Sequence, residues 1–177
     1  MPLTPKDEHL AAQLKKCGVL MPLACLQASK KTGLELALAA SLLQQETGGG
    51  RNEWGHDPTI FVGGYDAAHG KRYGELVTKA AYTEYKRQRG PTGHGGMQGV
   101  GPCQLTYYAF QDEADRLGGC HLPLQNMLVG FGDMATLVRK YGLHAGVAAY
   151  NGAGLAAQRY AASVLGRLEG YRQVLAR

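Results

Sequence analysis

The sequence predicts a mainly α fold: a single helical domain over residues 1–177, with a Gly-rich irregular stretch and at most a small β-hairpin. Three observations predict it. Apolar residues recur at helical spacing through most of the chain outside residues 48–101. Gly pairs or triplets follow several of those runs, as helix stops do. And 14 of the 26 glycines fall within 48–101, where they break regular structure. A chain of 177 residues suits one domain and can bury roughly 68–70% of its unfolded surface in one core. The glycines keep no G-X-Y period and are interleaved with Trp, Tyr, His and Asp, which excludes a collagen-like chain or a flexible linker.

In chain order, residues 6–16 read as a short amphipathic helix, and 21–31 as a second closed by Thr32-Gly33. A third, strongly apolar, runs over 34–47 and stops at Gly48-Gly49-Gly50. Residues 75–88 read as helix inside the Gly-rich stretch, with room for a hairpin at 59–62. Thr106 is a candidate N-cap for a helix over 107–117, with Phe110, Ala114 and Leu117 on one face and Gly118-Gly119 as the stop. Met127, Phe131, Met134 and Val138 mark a helix over 124–141. Segments 145–150, 155–165 and 168–177 complete the set. There is no internal repeat.

Bulk composition excludes several classes. Hydrophobic residues are 45% and charged residues 19%, which is a globular balance. No run approaches the roughly 18 apolar residues of a membrane span, so stable membrane insertion is not expected. The segment Met1-Pro-Leu-Thr-Pro-Lys-Asp-Glu8 carries acids where a signal peptide has bases followed by an apolar stretch. Net charge is +5, with six bases against two acids over 71–89, which favours polyanions: nucleic acid, membrane surface or an anionic cell wall. Cys17, Cys25, Cys103 and Cys120 form no C-x-x-C pair and are expected to be reduced thiols.

One residue stands out. Glu46 lies four residues after Leu42, three after Leu43 and seven after Ala39, so it shares their face. That face is the core-facing one. Burial and the negative end of the helix dipole both favour the protonated carboxyl, the form a general acid uses. A frayed last turn would instead let Glu46 reach solvent. Beyond it, Gly48-Gly49-Gly50 permits close approach of a ligand, and Arg51, Asn52, Trp54, His56 and Asp57 supply donors and an aromatic face of the kind found in sugar-binding grooves.

Three motifs now align. Ala39-Ala-Ser-Leu-Leu-Gln-Gln-Glu46-Thr-Gly is similar to the helix ending in E-S-G that carries the catalytic Glu of the lysozyme-like superfamily. Gly101-Pro102-Cys103-Gln104-Leu105-Thr106 is similar to its G-L-M-Q segment, and Ala148-Ala149-Tyr150-Asn151-Gly152-Ala153-Gly154 to its A-Y-N-x-G motif. Over roughly 22–165 the chain resembles the soluble lytic transglycosylase and goose-type lysozyme branch. Residues 51–58 and 98–106 look like the cell-wall domains of actinobacteriophage (mycobacteriophage-type) endolysins.

The resemblance implies a monomeric enzyme of phage-mediated lysis that cleaves peptidoglycan glycan strands between N-acylmuramic acid and N-acetylglucosamine. It implies no metal or organic cofactor and no nucleic-acid partner. The protein would be made in the host cytoplasm and reach the wall through membrane holes made by another protein, or as part of a virion. Glu46 would be the general acid and then the base. Tyr150 would orient its carboxyl. Gln104 would line the groove and bond sugar or the carboxyl, and Asn151 would meet the acetamido group. Trp54, His56, His94 and Gln98 complete the substrate-binding set. Two plain roles stay open: Asn151 as a helix C-cap and Tyr150 as a core residue with a satisfied hydroxyl. Pro102 and Cys103 stand where the family has Leu and Met, and Gly95-Gly96-Met97-Gln98 offers a rival register.

Most glycosidases use two carboxylates. The partners on offer are Glu53, Asp57, Asp66 and Glu75, with Asp57 the best placed, although an Asp before Pro58 also caps turns. Loop 91–96 has no acid where goose-type enzymes have an aspartate. That scarcity favours a transglycosylase, in which the muramyl C6 hydroxyl attacks and one Glu suffices. Other classes fit less well: a Cys103–His94 thiol peptidase, a zinc enzyme using some of His56, Asp57, His69, His94 and His121 without metal-site spacing, or a nucleic-acid binder on 71–89 without a reader motif. A non-catalytic wall-binding module of the same fold is the main alternative.

Overall fold

The structure is a computed structural model and describes residues 4–55 and 76–177. Within those residues the chain is mainly helical, with eight α-helices and no strand. The expected hairpin at 59–62 lies outside the described residues, as do His56, Asp57, Asp66, His69 and Glu75.

Helix α1 (Pro5–Lys16) is opened by a reciprocal cap. The Asp7 backbone N–H donates to the Thr4 hydroxyl, and the Thr4 N–H to the Asp7 carboxylate, each at 3.2 Å. Helix α2 (Pro22–Thr32) ends on Gly33 in the left-handed conformation, φ 72°. Helix α3 (Leu36–Thr47) starts two residues later than its apolar pattern suggests. The Ser29 hydroxyl donates to the Leu34 carbonyl at 2.7 Å and holds that linker out of the helix. Gly48, φ 62°, ends α3 one residue past Thr47, and so fixes Glu46 in the last turn.

Helix α4 (Lys79–Arg89) begins at Thr78, whose hydroxyl accepts from the Ala81 N–H at 3.2 Å, so residues 76–78 are outside the helix expected over 75–88. Helix α5 (Tyr108–Arg116) corrects a second expectation. Tyr107 takes the N-cap position, and the Thr106 hydroxyl donates to the Gln104 carbonyl instead of capping. Its buried face is Gln111 and Ala114, while Leu117 is 49% exposed. Gln111 can be buried because its amide donates to the carbonyls of Leu105 at 2.7 Å and Gln98 at 2.9 Å.

Helix α6 (Pro123–Tyr141) buries Met127, Phe131 and Met134 completely, with Val138 partly buried. Helix α7 (Leu143–Asn151) is followed by α8 (Gly154–Leu175). The two segments expected at 155–165 and 168–177 are one helix. Its buried stripe, Ala157, Ala161, Val164, Leu168 and Tyr171, runs across Gly166 without a break of period. Packing of that stripe outweighs the roughly 1 kcal/mol that one glycine costs a helix.

Helix α3 packs along α8, α7 packs on both α6 and α8, and α2 packs on α6. Ser163 and Arg167 of α8 both donate to the Gln45 side-chain oxygen of α3. Helix α4 is joined to α5 by ion pairs and by tyrosine bonds: Arg89, buried, donates to Asp112 at 2.7 Å and to the Tyr108 carbonyl at 3.1 Å, Lys86 pairs with Asp115, and the Tyr85 hydroxyl bonds the Gln111 amide. Among the described residues no helix is long and apolar enough to cross a membrane. All four cysteines are free.

Candidate active site

Two irregular segments meet at the end of α3. Residues 52–55 lie against 98–101, with the Gly55 N–H donating to the Gly99 carbonyl and the Gly101 N–H to the Glu53 carbonyl, both at 2.8 Å. Val100 bridges Trp54 on one side and Leu105 on the other. Loop 101–104 is then clamped by three helices. The Thr47 hydroxyl of α3 donates to the Pro102 carbonyl at 3.1 Å. The Asn126 side chain of α6 accepts from the Cys103 N–H at 2.9 Å and donates to the Val100 carbonyl at 2.8 Å. The Tyr150 hydroxyl of α7 donates to the Cys103 carbonyl at 3.1 Å. Pro102 and Cys103 therefore serve as anchors. The Cys103 side chain is buried against Gly130 of α6, where an added Cβ would stand 2.5 Å from the Cys103 Cβ.

This clamp shapes a cavity of about 530 Å³ lined by Glu46, residues 104–107, Phe110, Asp133, Tyr150 and Asn151. Such a volume suits a ligand of one or a few rings. Glu46, half-buried in the last turn of α3, presents its carboxyl there. Behind it the Tyr160 hydroxyl of α8 donates to Glu46 Oε1. Burial, and next the Glu46 charge, push the Tyr160 hydroxyl well above the ordinary phenol range, so it stays a donor. The Tyr150 and Tyr160 rings stack at 6.5 Å.

The expected site residues divide into three groups. Glu46, Gln104, Tyr150 and Asn151 come together at the cavity. Their roles differ from expectation in two cases. Tyr150 is bonded to the loop carbonyl, and the tyrosine bonded to Glu46 is Tyr160. Gln104, held at φ 47°, spends its amide N–H groups on the carbonyls of Glu53 at 2.9 Å and Gly101 at 3.0 Å, so it braces the cavity floor.

A second group is displaced from the cavity. Trp54 is 3% exposed and packs edge-on against Tyr85 at 5.8 Å, so its ring offers no face to a ligand. Gln98 is buried, with its backbone bonded to Tyr85 and Gln111. Gln104, not Gln98, is thus the glutamine at the cavity. His94 is exposed on the loop after α4, within 3.3 Å of the Thr92 hydroxyl. Glu53 is buried away from the cavity, accepting from the Val77 N–H at 2.7 Å; burial pushes its carboxyl up. The third group, His56 and Asp57, lies outside the described residues.

The thiol reading finds no activated cysteine at Cys103. Burial, and then the Glu46 charge, push the Cys103 thiol far above its ordinary range, and His94 stands on an exposed loop. Among the described residues no group of three or more His, Cys, Asp or Glu is placed to hold a metal ion.

Sequence reasoning missed Asp133, Tyr160 and the pair Tyr107–Phe110. Asp133 had a legible signal: Asn126, Gly130 and Asp133 form a small and polar stripe at i, i+4, i+7 on an otherwise apolar helix. Tyr160 lies three residues after Ala157 and four before Val164, beside the buried stripe of α8, where a tyrosine hydroxyl needs a partner. Tyr107, 49% exposed, packs on Tyr108 at 4.6 Å and Phe110 at 6.1 Å, and so offers the cavity the aromatic face that Trp54 does not. No family model, curated protein or solved structure matches the chain.

Proposed function

We propose that the chain is a lysozyme-like enzyme of the lytic transglycosylase and goose-type branch. It cleaves peptidoglycan glycan strands at the β-1,4 bond between N-acylmuramic acid and N-acetylglucosamine. One observation carries the reading: a carboxyl that ends a buried helix, Glu46, opens on an aromatic-walled cavity while a tyrosine hydroxyl holds it from behind. Glu46 donates its proton to the glycosidic oxygen as the C1–O bond breaks, then takes a proton from the group that attacks C1. Tyr107 and Phe110 offer apolar faces to sugar rings. Proton transfer and attack at C1 need no metal or organic cofactor. With Glu46 as the only carboxyl, the attacking group is the muramyl C6 hydroxyl and the product is a 1,6-anhydro sugar. A second carboxyl at the cavity favours water and a reducing end. The biological setting that fits is phage-mediated lysis, with the protein acting as a monomer at the wall of the host.

The test compares wild type with Glu46→Gln on purified peptidoglycan, with mass spectrometry of the released fragments. Glu46→Gln is expected to lose about 10²–10⁴-fold of the release rate. Full activity in that variant would overturn the reading. A Glu46→Gln protein that binds walls like an equally inactive wild type would point to the binding-module alternative.

A further inference from the structure

Asp133 is the group in the cavity that the reaction above leaves without a task. It lies on α6 one turn after Gly130, where Cys103 and the Tyr150 hydroxyl occupy the space a side chain would take. An ideal Cβ at Gly130 would meet the Tyr150 oxygen at 3.1 Å. Residues at i and i+3 share a face, and helical side chains lean over the turn before their own Cα. Gly130 has no side chain in that space, so the Asp133 carboxyl leans toward Tyr150 and into the cavity it lines. Tyr150 feels both acids: the charges of Glu46 and Asp133 each push its hydroxyl up, after burial and Cys103. The two carboxyls therefore flank one tyrosine.

Among the described residues, no hydrogen bond or ion pair reaches Asp133. Burial, then the Glu113 charge from α5, raise its carboxyl above the ordinary aspartate range. A half-buried acid without a donor is disfavoured as an anion, and nothing in the packing of α6 requires one there. Its elevated basicity suits it to take a proton.

We infer that Asp133 is a second catalytic carboxyl of this cavity, the base that activates water against C1 of the muramyl residue. The inference rests on Glu46 as the acid. The water oxygen bonds to C1 and its proton passes to Asp133. The C1–O4 bond breaks, and the Glu46 proton passes to O4 of the departing N-acetylglucosamine. The net reaction is hydrolysis, which reverses the preference for a transglycosylase that the acid-poor loop 91–96 suggested.

The experiment digests purified peptidoglycan in ¹⁸O-water with the full chain, its Asp133→Asn and Asp133→Glu variants, and Glu46→Gln. Mass spectrometry reads the ends. Wild type is expected to release reducing ends carrying one ¹⁸O. Asp133→Asn is expected to lose about 100-fold or more of that release, and Asp133→Glu to recover part of it. The wild-type rate is expected to fall at low pH as Asp133 is protonated, and Asp133→Asn to lack that limb. The groups facing Asp133 are Glu46 of α3, Glu113 of α5 and Tyr150 of α7. Burial and the Glu113 charge move the midpoint up, Glu46 carries its proton in the active form, and Tyr150 stays neutral. Rates are compared per folded molecule. Wild-type release of reducing ends by Asp133→Asn, or anhydro ends alone from wild type, would overturn the inference while leaving an inactive Glu46→Gln, and hence the Glu46 reading, intact. An active Glu46→Gln would sink the underlying reading instead.

Discussion

A single hydroxyl separates a carboxyl that merely lies in a cavity from one held at a fixed angle. Tyr160 donates to Glu46 Oε1 from a helix 114 residues away in sequence. Its ring is held by Tyr150, and its proton is retained because burial disfavours the phenolate. Tyr160→Phe keeps the ring and removes the donor. If Tyr160 positions Glu46, kcat on soluble glycan strands is expected to fall about 10-fold, the worth of one hydrogen bond to a charged group. KM should hardly move, because Tyr160 stands behind the carboxyl and outside the cavity lining. A fall in melting temperature with kcat preserved would assign Tyr160 a purely structural part. The same scale explains what could be read in the sequence. Glu46 was legible because its face is set by neighbours three, four and seven residues away. Asp133 left a local trace in the small and polar stripe of α6, but its place at the cavity, like the bonds of Tyr160 and Gln104, comes from tertiary contacts that no local pattern encodes. Trp54 and Gln98 were misread for the opposite reason: their types suit ligand contact, but two interlocked loop segments put them inside the core.

Helices carry the next level of specification, and their glycines show which contacts decide. Gly130, Gly166 and Gly170 all lie within helices. An added Cβ at Gly130 meets Cys103 Cβ at 2.5 Å and Sγ at 2.8 Å, whereas Gly166 and Gly170 have nothing within 4 Å. Gly130→Ala is therefore expected to destabilise by about 1–3 kcal/mol through overpacking. Gly170→Ala is expected to stabilise by up to about 1 kcal/mol through helix propensity. At about 2–4 °C per kcal/mol for a chain of this size, thermal melts should move in opposite directions. Equal shifts for the two variants would mean that α6 does not grip loop 101–104 as described. Gly130→Ala should also lower activity, since Cys103 anchors the loop that carries Gln104 to the cavity. Most helix ends were legible because a local cap or glycine marks them. Thr4, Gly33 and Gly48 do so without help from the rest of the fold. The misread ends are those where another bond or packing outweighs the expected signal: Ser29 holding Leu34 out of α3, Thr78 capping α4 inside the expected helix, the Gln104 carbonyl taking the Thr106 hydroxyl, and a continuous buried stripe carrying α8 through Gly166.

At the scale of the whole molecule, the proposed function makes net charge testable, because a basic protein is drawn to an anionic wall. The net charge is +5 and the sequence pI about 9.0. The run 71–89 suggested a concentrated basic patch, but within α4 the charge is largely answered by acids. Arg89 pairs with Asp112, Lys86 with Asp112 and Asp115, and Arg87 with Glu84. Among the described residues, bases outside ion pairs sit on helix ends, including Lys15 and Lys16 of α1 and Arg139 and Lys140 of α6. A diffuse field of this kind supports weak, readily screened adsorption. Binding to purified walls is thus expected to be substantial at low salt and lost by 1 M, as the screening length falls from about 10 Å at 0.1 M to about 3 Å. Lys15→Ala with Lys16→Ala should weaken low-salt adsorption more than Arg87→Ala, whose charge Glu84 already offsets. Glu46→Gln should adsorb like wild type if, as proposed, adsorption draws on the field and cleavage on the cavity. Co-sedimentation across a salt series reads all three. Adsorption that persists at 1 M salt would mean that specific contacts, such as those proposed for the cavity, hold the wall, and that the surplus of positive charge has no part in finding it.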